Sequence, residues 1–266
     1  MLLAGIADTP IEFFGFDAGE LALDKFKISN FGKGAFRIVL NKLTSPGFAN
    51  HYGVGYFCEN NHLFIDQRNG TYALIDRGKT QVVIGFPEGR QESVSDITAV
   101  MLSICLLKFE VLMAHASLVD LDGVGVLFIG NSGVGKTTQA EQWQKHRSAD
   151  IINGDHVFIR KWKDCFWGYG SPWHGSSPYC ENKKTKLRAI VALRQSAKNR
   201  LTHLSGLDAI LEVENGIYLP KWRREEMDQA LPVFDDLLSQ VPVYLLECRI
   251  DEEAVEIVYN EVFRTG

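Results

Sequence analysis

The residues Gly130-Asn131-Ser132-Gly133-Val134-Gly135-Lys136-Thr137 satisfy the pattern G-x-x-x-x-G-K-[ST] at every fixed position. This layout answers a physical demand. A polyphosphate must be met by several backbone N–H groups at once, and glycines let the chain curl round the anion without Cβ clashes. The flanks fit the motif. An apolar run, Val124–Ile129, reads as a strand leading into Gly130, and a helix is expected from Thr137 to His146. Its positive end would face the same anion. Lys136 would reach the outer phosphates, the Thr137 hydroxyl would ligate Mg²⁺, and Thr138 is expected to bind the nucleotide with the rest of the loop. No N-K-x-D guanine-reading run is present, because Asn182-Lys183-Lys184-Thr185 ends in threonine. ATP is therefore the expected nucleotide.

The surroundings narrow the architecture. Asp122-Gly123 between Ala116–Asp120 and Val124–Ile129 signals a tight hairpin, so the strand entering the loop has an antiparallel neighbour just before it. Beyond the loop there is room for one helix and one strand, Ile151–Asn153, before Asp155. That carboxylate can face the phosphates from a neighbouring strand tip. The competing reading is an ordinary turn aspartate in Asn-Gly-Asp. Further strands are expected at Val157–Trp162, Ala189–Leu193 and Val243–Arg249. Helices are expected at Asp208–Glu214, at Arg224–Gln240 with a kink or split at Pro232, and after an N-cap at Asp251.

Residues 1–92 read differently. Apolar alternation recurs at Val54–Phe57, His62–Ile65, Thr71–Ile75 and Gln81–Phe86, punctuated by Asn60-Asn61, Asn69-Gly70 and Arg77-Gly78. A small antiparallel β domain is expected there, followed by a helix over Ser93–Met113 and a catalytic domain over 93–266. The fold class is thus mixed α/β after a β-rich start.

Composition excludes several classes. With 45% hydrophobic and 23% charged residues in 266, the chain is an ordinary globular one. The net charge of −5 argues against nucleic-acid binding by the whole protein. A basic run (Lys183, Lys184, Lys186, Arg188, Arg194, Lys198, Arg200) stands out. It is either a solvated face or a field favouring an anionic ligand. The five cysteines form no C-x-x-C pair, which fits free thiols in a reducing cytoplasm. The most apolar stretch, Ala99–Leu107, is far shorter than the ~20 residues that cross a bilayer, and Met1–Ala7 has no basic signal-peptide start. No membrane partner is expected.

His115-Ala-Ser-Leu-Val-Asp120, the run Gly123–Thr137 and Asn153-Gly-Asp155 together resemble the catalytic domain of HPr kinase/phosphorylase-like proteins, in the phosphoenolpyruvate-carboxykinase-like group of P-loop folds. The resemblance continues through Gly170–Ser177, Leu187–Leu193, Asn199-Arg200 and Val241–Tyr244, over about residues 110–260. It implies that fold, with a mixed sheet, and ATP-dependent phosphorylation of a hydroxyl of serine type in a peptide, protein or small molecule. It implies phosphate and Mg²⁺ roles for Lys136 and Thr137, a metal or proton role for Asp155, and a place for His115 near the phosphates. True HPr kinases carry two adjacent aspartates where this chain has Gly154 and Asp155, which sets it among the less characterised kinases of the group. True HPr kinases are hexamers, so a homo-oligomer stays open.

Asp155 is the first candidate for base or metal ligand. His115 is the second, against a satisfied core histidine. His156 is expected to point away, by strand alternation. Trp173 and His174 lie in an aromatic, serine- and proline-rich loop and are either substrate contacts or, for Trp173, a core plug. Arg188 and Arg200 are candidates for charge neutralisation or commonplace strand-end arginines. Two other functions compete: a non-catalytic ATP sensor, and a carboxykinase acting on a carboxylic acid.

Overall fold

The computed structural model describes residues 2–16, 21–29, 36–39, 43–44, 57–58, 61–65, 70–87 and 93–264. The chain divides into two units, Met1–Leu106 and Leu107–Gly266.

In the first unit the strands are β1 (Leu2–Ile6), β2 (Thr9–Phe14), β3 (Phe36–Val39), β4 (Leu43–Thr44), β5 (Phe57–Cys58), β6 (Asn61–Ile65), β7 (Tyr72–Asp76) and β8 (Gln81–Phe86). They form one sheet in the order β1-β2-β3-β8-β7-β6-β5, with β4 against β8. The meander β5 to β8 is antiparallel, as the turn signals suggest. The sheet as a whole is mixed, because β2–β3, β3–β8 and β4–β8 pair in parallel. At the Arg77-Gly78 turn the Asp76 carboxylate accepts from the backbone N–H of Thr80 (2.7 Å) and Gln81 (2.6 Å). Residues 54–56, Asn60 and Asn69 lie outside the described residues.

Helix α1 spans Ser93–Cys105, much shorter than the expected Ser93–Met113. A 3₁₀ turn, Leu106–Phe109, follows, and Glu110 adopts a left-handed φ of 57°. That break resets the chain, and Val111–Met113 become strand. α1 packs on β7 and β8, so the division falls after it rather than at residue 92.

The second unit contains β9 (Val111–Leu121), β10 (Val124–Ile129), α2 (Lys136–Arg147), β11 (Asp150–Asn153), β12 (His156–Trp162), β13 (Cys165–Tyr169), β14 (Lys184–Gln195), β15 (Arg200–Leu204), α3 (Gly206–Val213), α4 (Arg224–Gln240), β16 (Val243–Cys248) and α5 (Glu252–Arg264). Its mixed sheet has the order β10-β9-β12-β13-β14-β16-β15, with β11 on β9 and β10 also paired in parallel with β14. The hairpin entering the loop is present: Asp122 (φ 53°) and Gly123 (φ 82°) both take positive φ, as a two-residue turn between right-twisted strands demands.

Alternation along β10 explains the layers. Leu127 and Ile129 join a core with Val213 of α3 and Phe234 and Leu237 of α4. Val126 and Phe128 join another with Ala140 and Trp143 of α2 and Val255 and Val258 of α5. Pro232 lies inside α4 without ending it. The buried Ala230, Val233, Phe234 and Leu237 hold both halves of that helix in the core. α5 starts as expected, with Asp251 Oδ1 accepting from the Ala254 N–H at 3.1 Å. Among the described residues no helix is long and apolar enough to cross a membrane.

Candidate active site

The loop between β10 and α2 is a tight curl. Gly130 sits at φ 144°, and a Cβ there would lie 3.0 Å from Val134 Cγ1 and 3.2 Å from the Leu193 carbonyl, so only glycine fits. Lys136 opens α2 but folds back over the loop. Its Nζ donates to the carbonyls of Gly130 (3.1 Å) and Asn131 (3.3 Å), and the residue is only 6% exposed. Burial pushes its ammonium pKa down, and the nearby Asp155 charge pulls the other way. Two hydroxyls pin the helix start. Ser117 of β9 donates to the Lys136 carbonyl (2.7 Å), and Thr137 donates to the Gly154 carbonyl (3.0 Å).

Gly154 lies in the turn between β11 and β12, which Asn153 organises. The Asn153 side-chain oxygen accepts from the N–H groups of Asp155 (2.9 Å) and His156 (3.0 Å). Its amide donates to the carbonyls of Ser171 (2.9 Å) and Trp173 (3.4 Å). Asp155 is thereby presented to two imidazoles. His115 Nε2 is 2.9 Å from Oδ1, and His156 Nδ1 is 2.8 Å from Oδ2 at a poor hydrogen-bonding angle. The rings are stacked with centroids 5.9 Å apart, and His156 Nε2 lies 2.9 Å from the Tyr218 hydroxyl. Burial alone would raise the Asp155 pKa, but the two histidines outweigh it and hold the carboxyl well below the usual range. His156 thus joins the cluster, against expectation. Alternation does not separate it from Asp155, because Asp155 belongs to the turn and β12 begins at His156, directly opposite His115.

The segment Ser171–Tyr179 covers this turn. Trp173 is 5% exposed and meets Phe158 edge-on at 6.2 Å, the packing of a core plug. His174 turns its Nδ1 to the Ser177 carbonyl of its own segment. Gly175 (φ 57°) presses on the carboxylate: a Cβ there would stand 2.5 Å from Asp155 Oδ2. A Cβ on Gly154 would stand 1.9 Å from Ser177 Oγ. Gly154 is therefore sterically tied to Ser177.

Arg188 and Arg200 do not join the cluster. Arg188 is exposed in the β14 bulge level with Gly125 and Val126, toward the end of β14 away from the loop. Arg200 is exposed at the start of β15, which β14 and β16 separate from β10. A different part of the basic run reaches the loop. Gly130–Val134, Leu193, Arg194, Gln195, Glu212 and Asn215 line a cavity of about 450 Å³. Sequence reasoning passed over Ser117, Tyr218, Gly175 and this wall. Ser117 had a signal, as a lone hydroxyl in an apolar run, but Tyr218 and Gly175 are brought in by distant loops.

The second unit is thus a mixed α/β domain in which a glycine-rich loop opens a helix beside a carboxylate kept ionised, an arrangement suited to holding an anion and handling a proton. No family model matches the chain. By sequence it is similar to proteins named HPr kinase/phosphorylase. It is 29% identical over 134 residues to the HPr kinase/phosphorylase of Clostridium novyi (strain NT), covering 48% of this chain and 39% of that protein. It is 28% identical over 142 residues to that of Clostridium kluyveri, covering 51% and 41%. For the protein of the same name from Mycoplasmopsis pulmonis the figures are 28% over 119 residues, 44% and 34%. The chain spans about two fifths or less of the length of these relatives. Among solved structures, the HPr(Ser) kinase/phosphatase from Coxiella burnetii matches with a TM-score of 0.37 and 12% identity, over 57% of this chain and 97% of that one.

Proposed function

We propose that the second unit is an ATP-dependent phosphotransferase that moves the γ-phosphoryl group to a hydroxyl of serine type. The observation that carries this reading is the pairing of the glycine loop with Asp155, which is doubly contacted by His115 and His156. A phosphate-binding module needs the loop alone. A half-buried carboxylate held as an anion beside it suits a reaction that must position an acceptor hydroxyl and fix an imidazole able to take its proton. The intact Lys136, Thr137 and Asp155 also speak against a mere sensor.

The residues divide the work by position. Loop N–H groups and the start of α2 hold the phosphates, and Lys136 swings from its two carbonyls onto the outer ones. Thr137 and Asp155 offer hard oxygen donors that fit Mg²⁺, a cation commonly held by a carboxylate together with substrate phosphates. Bound there, Mg²⁺ would neutralise charge on the transferred group. Asp155 fixes the His115 ring, so proton removal from the acceptor falls to that pair. The relatives' names point to a protein acceptor, and HPr is the first to try. Gly154 favours trying other proteins, peptides and metabolites beside it.

The test is transfer of γ-labelled phosphate from ATP into purified HPr and into a cell lysate. Label should appear in an acid-stable product. Asp155→Asn should reduce it by on the order of 10²-fold or more while the fold is kept. Label transfer at the wild-type rate in that variant would remove Asp155 from the chemistry.

A further inference from the structure

The fold divides the basic run Lys183–Arg200. Lys183 pairs with Asp150 and Arg194 with Glu212, and Arg200 lies on β15 at the far edge of the sheet. Lys184 and Lys186 instead stand on an outer sheet face with Arg160, Trp162, Trp167 and Tyr169. Register places them there. Arg160, Trp167 and Lys186 lie side by side across β12, β13 and β14, and Tyr169 lies beside Lys184. Trp162 follows Arg160 on the same face of β12. The Arg160 guanidinium is 5.3 Å from the centre of the Trp162 ring, and Lys184 Nζ is 5.8 Å from that of Trp167 and 5.5 Å from that of Tyr169. The opposite face is core, where Ile159, Phe166 and Leu187 join Phe234 of α4. The core beneath α2 and α5 takes Ala189 and Val191 from the second half of β14 and nothing from β12 or β13. Trp162 is accordingly 51% exposed, and Lys184 and Lys186 are exposed.

We propose that this face docks an acidic stretch of the polypeptide that supplies the acceptor hydroxyl. The inference rests on the phosphotransferase reading above and names the chemistry of its acceptor. The sign of the partner follows from charge. β12, β13 and β14 contain no Asp or Glu, so an anionic partner meets no like charge fixed on those strands. Its class follows from the mixture. Tryptophan and arginine are the residue types that protein interfaces favour, and a net charge of −5 disfavours a nucleic acid. Its link to the reaction follows from β12. His156, Phe158, Arg160 and Trp162 alternate onto one face, and His156 stands against Asp155. Arg160 lies four residues along the strand from His156, roughly 13 Å. An extended acceptor with its hydroxyl at Asp155 therefore lays residues about four or more positions away onto Arg160, Lys184 and Lys186.

The test is fluorescence anisotropy on the full chain with a labelled peptide that has a central serine. Glutamate and leucine alternate from the fourth residue outward on both sides. Two control peptides carry lysine or glutamine in place of glutamate. The wild type should bind the glutamate peptide at least about tenfold more tightly than either control. Lys186→Glu and Trp162→Ala, both at exposed positions, should each weaken that binding at least about fivefold and leave the ATP-dependent melting shift unchanged. Equal affinity for the three peptides, or wild-type affinity in both variants, would overturn the docking face while the phosphotransferase reading stands. Tighter binding of a single-stranded RNA, lost in the same variants, would overturn the proposal in favour of a nucleic acid. Glutamate-peptide binding as expected, with no label passing from ATP to any peptide, protein or lysate component, would overturn the phosphotransferase reading and keep the face as a docking site for an acidic partner.

Discussion

Lys136 shows how one side chain is prepared for an anion. Its stem is buried, and its ammonium group rests on two loop carbonyls. Those carbonyls are weak partners beside a phosphate, so the group is held close without being satisfied. Removing it should therefore be felt mainly when nucleotide is present. Wild-type protein with ATP and Mg²⁺ at a hundred times the dissociation constant should gain about 2.7 kcal/mol in stability. Lys136→Ala should gain almost none of it, read as a melting shift with and without ATP. An unchanged shift in the variant would exclude Lys136 from the phosphate contacts.

At the scale of elements, the site depends on segments that meet from different parts of the chain. Gly175 is the tightest of these meetings, combining positive φ with a close approach to Asp155. Gly175→Ala should destabilise the protein by about 1–3 kcal/mol, while Ser176→Ala beside it, at an exposed position, should stay within about 0.5 kcal/mol. Denaturant midpoints measure both, and equal midpoints would show that the segment yields freely. This is also where reading the sequence reached its limit. The loop from Gly130 to Thr137, its hairpin and Asp155 were legible, because each depends on neighbours close in sequence. The second half of β14 and the cap of α5 were legible for the same reason. The strand start at Val111 was not, because apolar Val111–Met113 satisfies helix and strand periodicity alike and only the left-handed Glu110 decides. The His156–Tyr218 contact, Trp173 as a plug and the Ser177–Gly154 fit depend on tertiary approach, which leaves no local pattern.

Over the whole molecule, stabilising charges are spread across both units, and several respond to acid in the same sense. Asp76 in the first unit is held below its usual pKa by backbone and side-chain donors at its turn, despite burial. In the second unit Asp236 is held low by Lys161, and Asp251 by the α5 cap and its neighbours despite burial. Asp155 is held lowest, beneath histidines that outweigh its burial. A carboxyl whose folded pKa is depressed contributes stability above its unfolded pKa and loses it as pH falls toward the folded value. All four therefore act together, and total stability should fall steeply once pH drops below about 4. Asp155 can be isolated by difference. Wild type should exceed Asp155→Asn in stability at about pH 6, and the gap should narrow progressively as pH falls below about 4 toward the depressed folded value, where the carboxylate charge facing both imidazoles is lost. Denaturant midpoints of the two proteins across that window test this. A gap that is constant with pH would mean that the histidines hold Asp155 by shape and packing, and that its charge contributes nothing to the folded state.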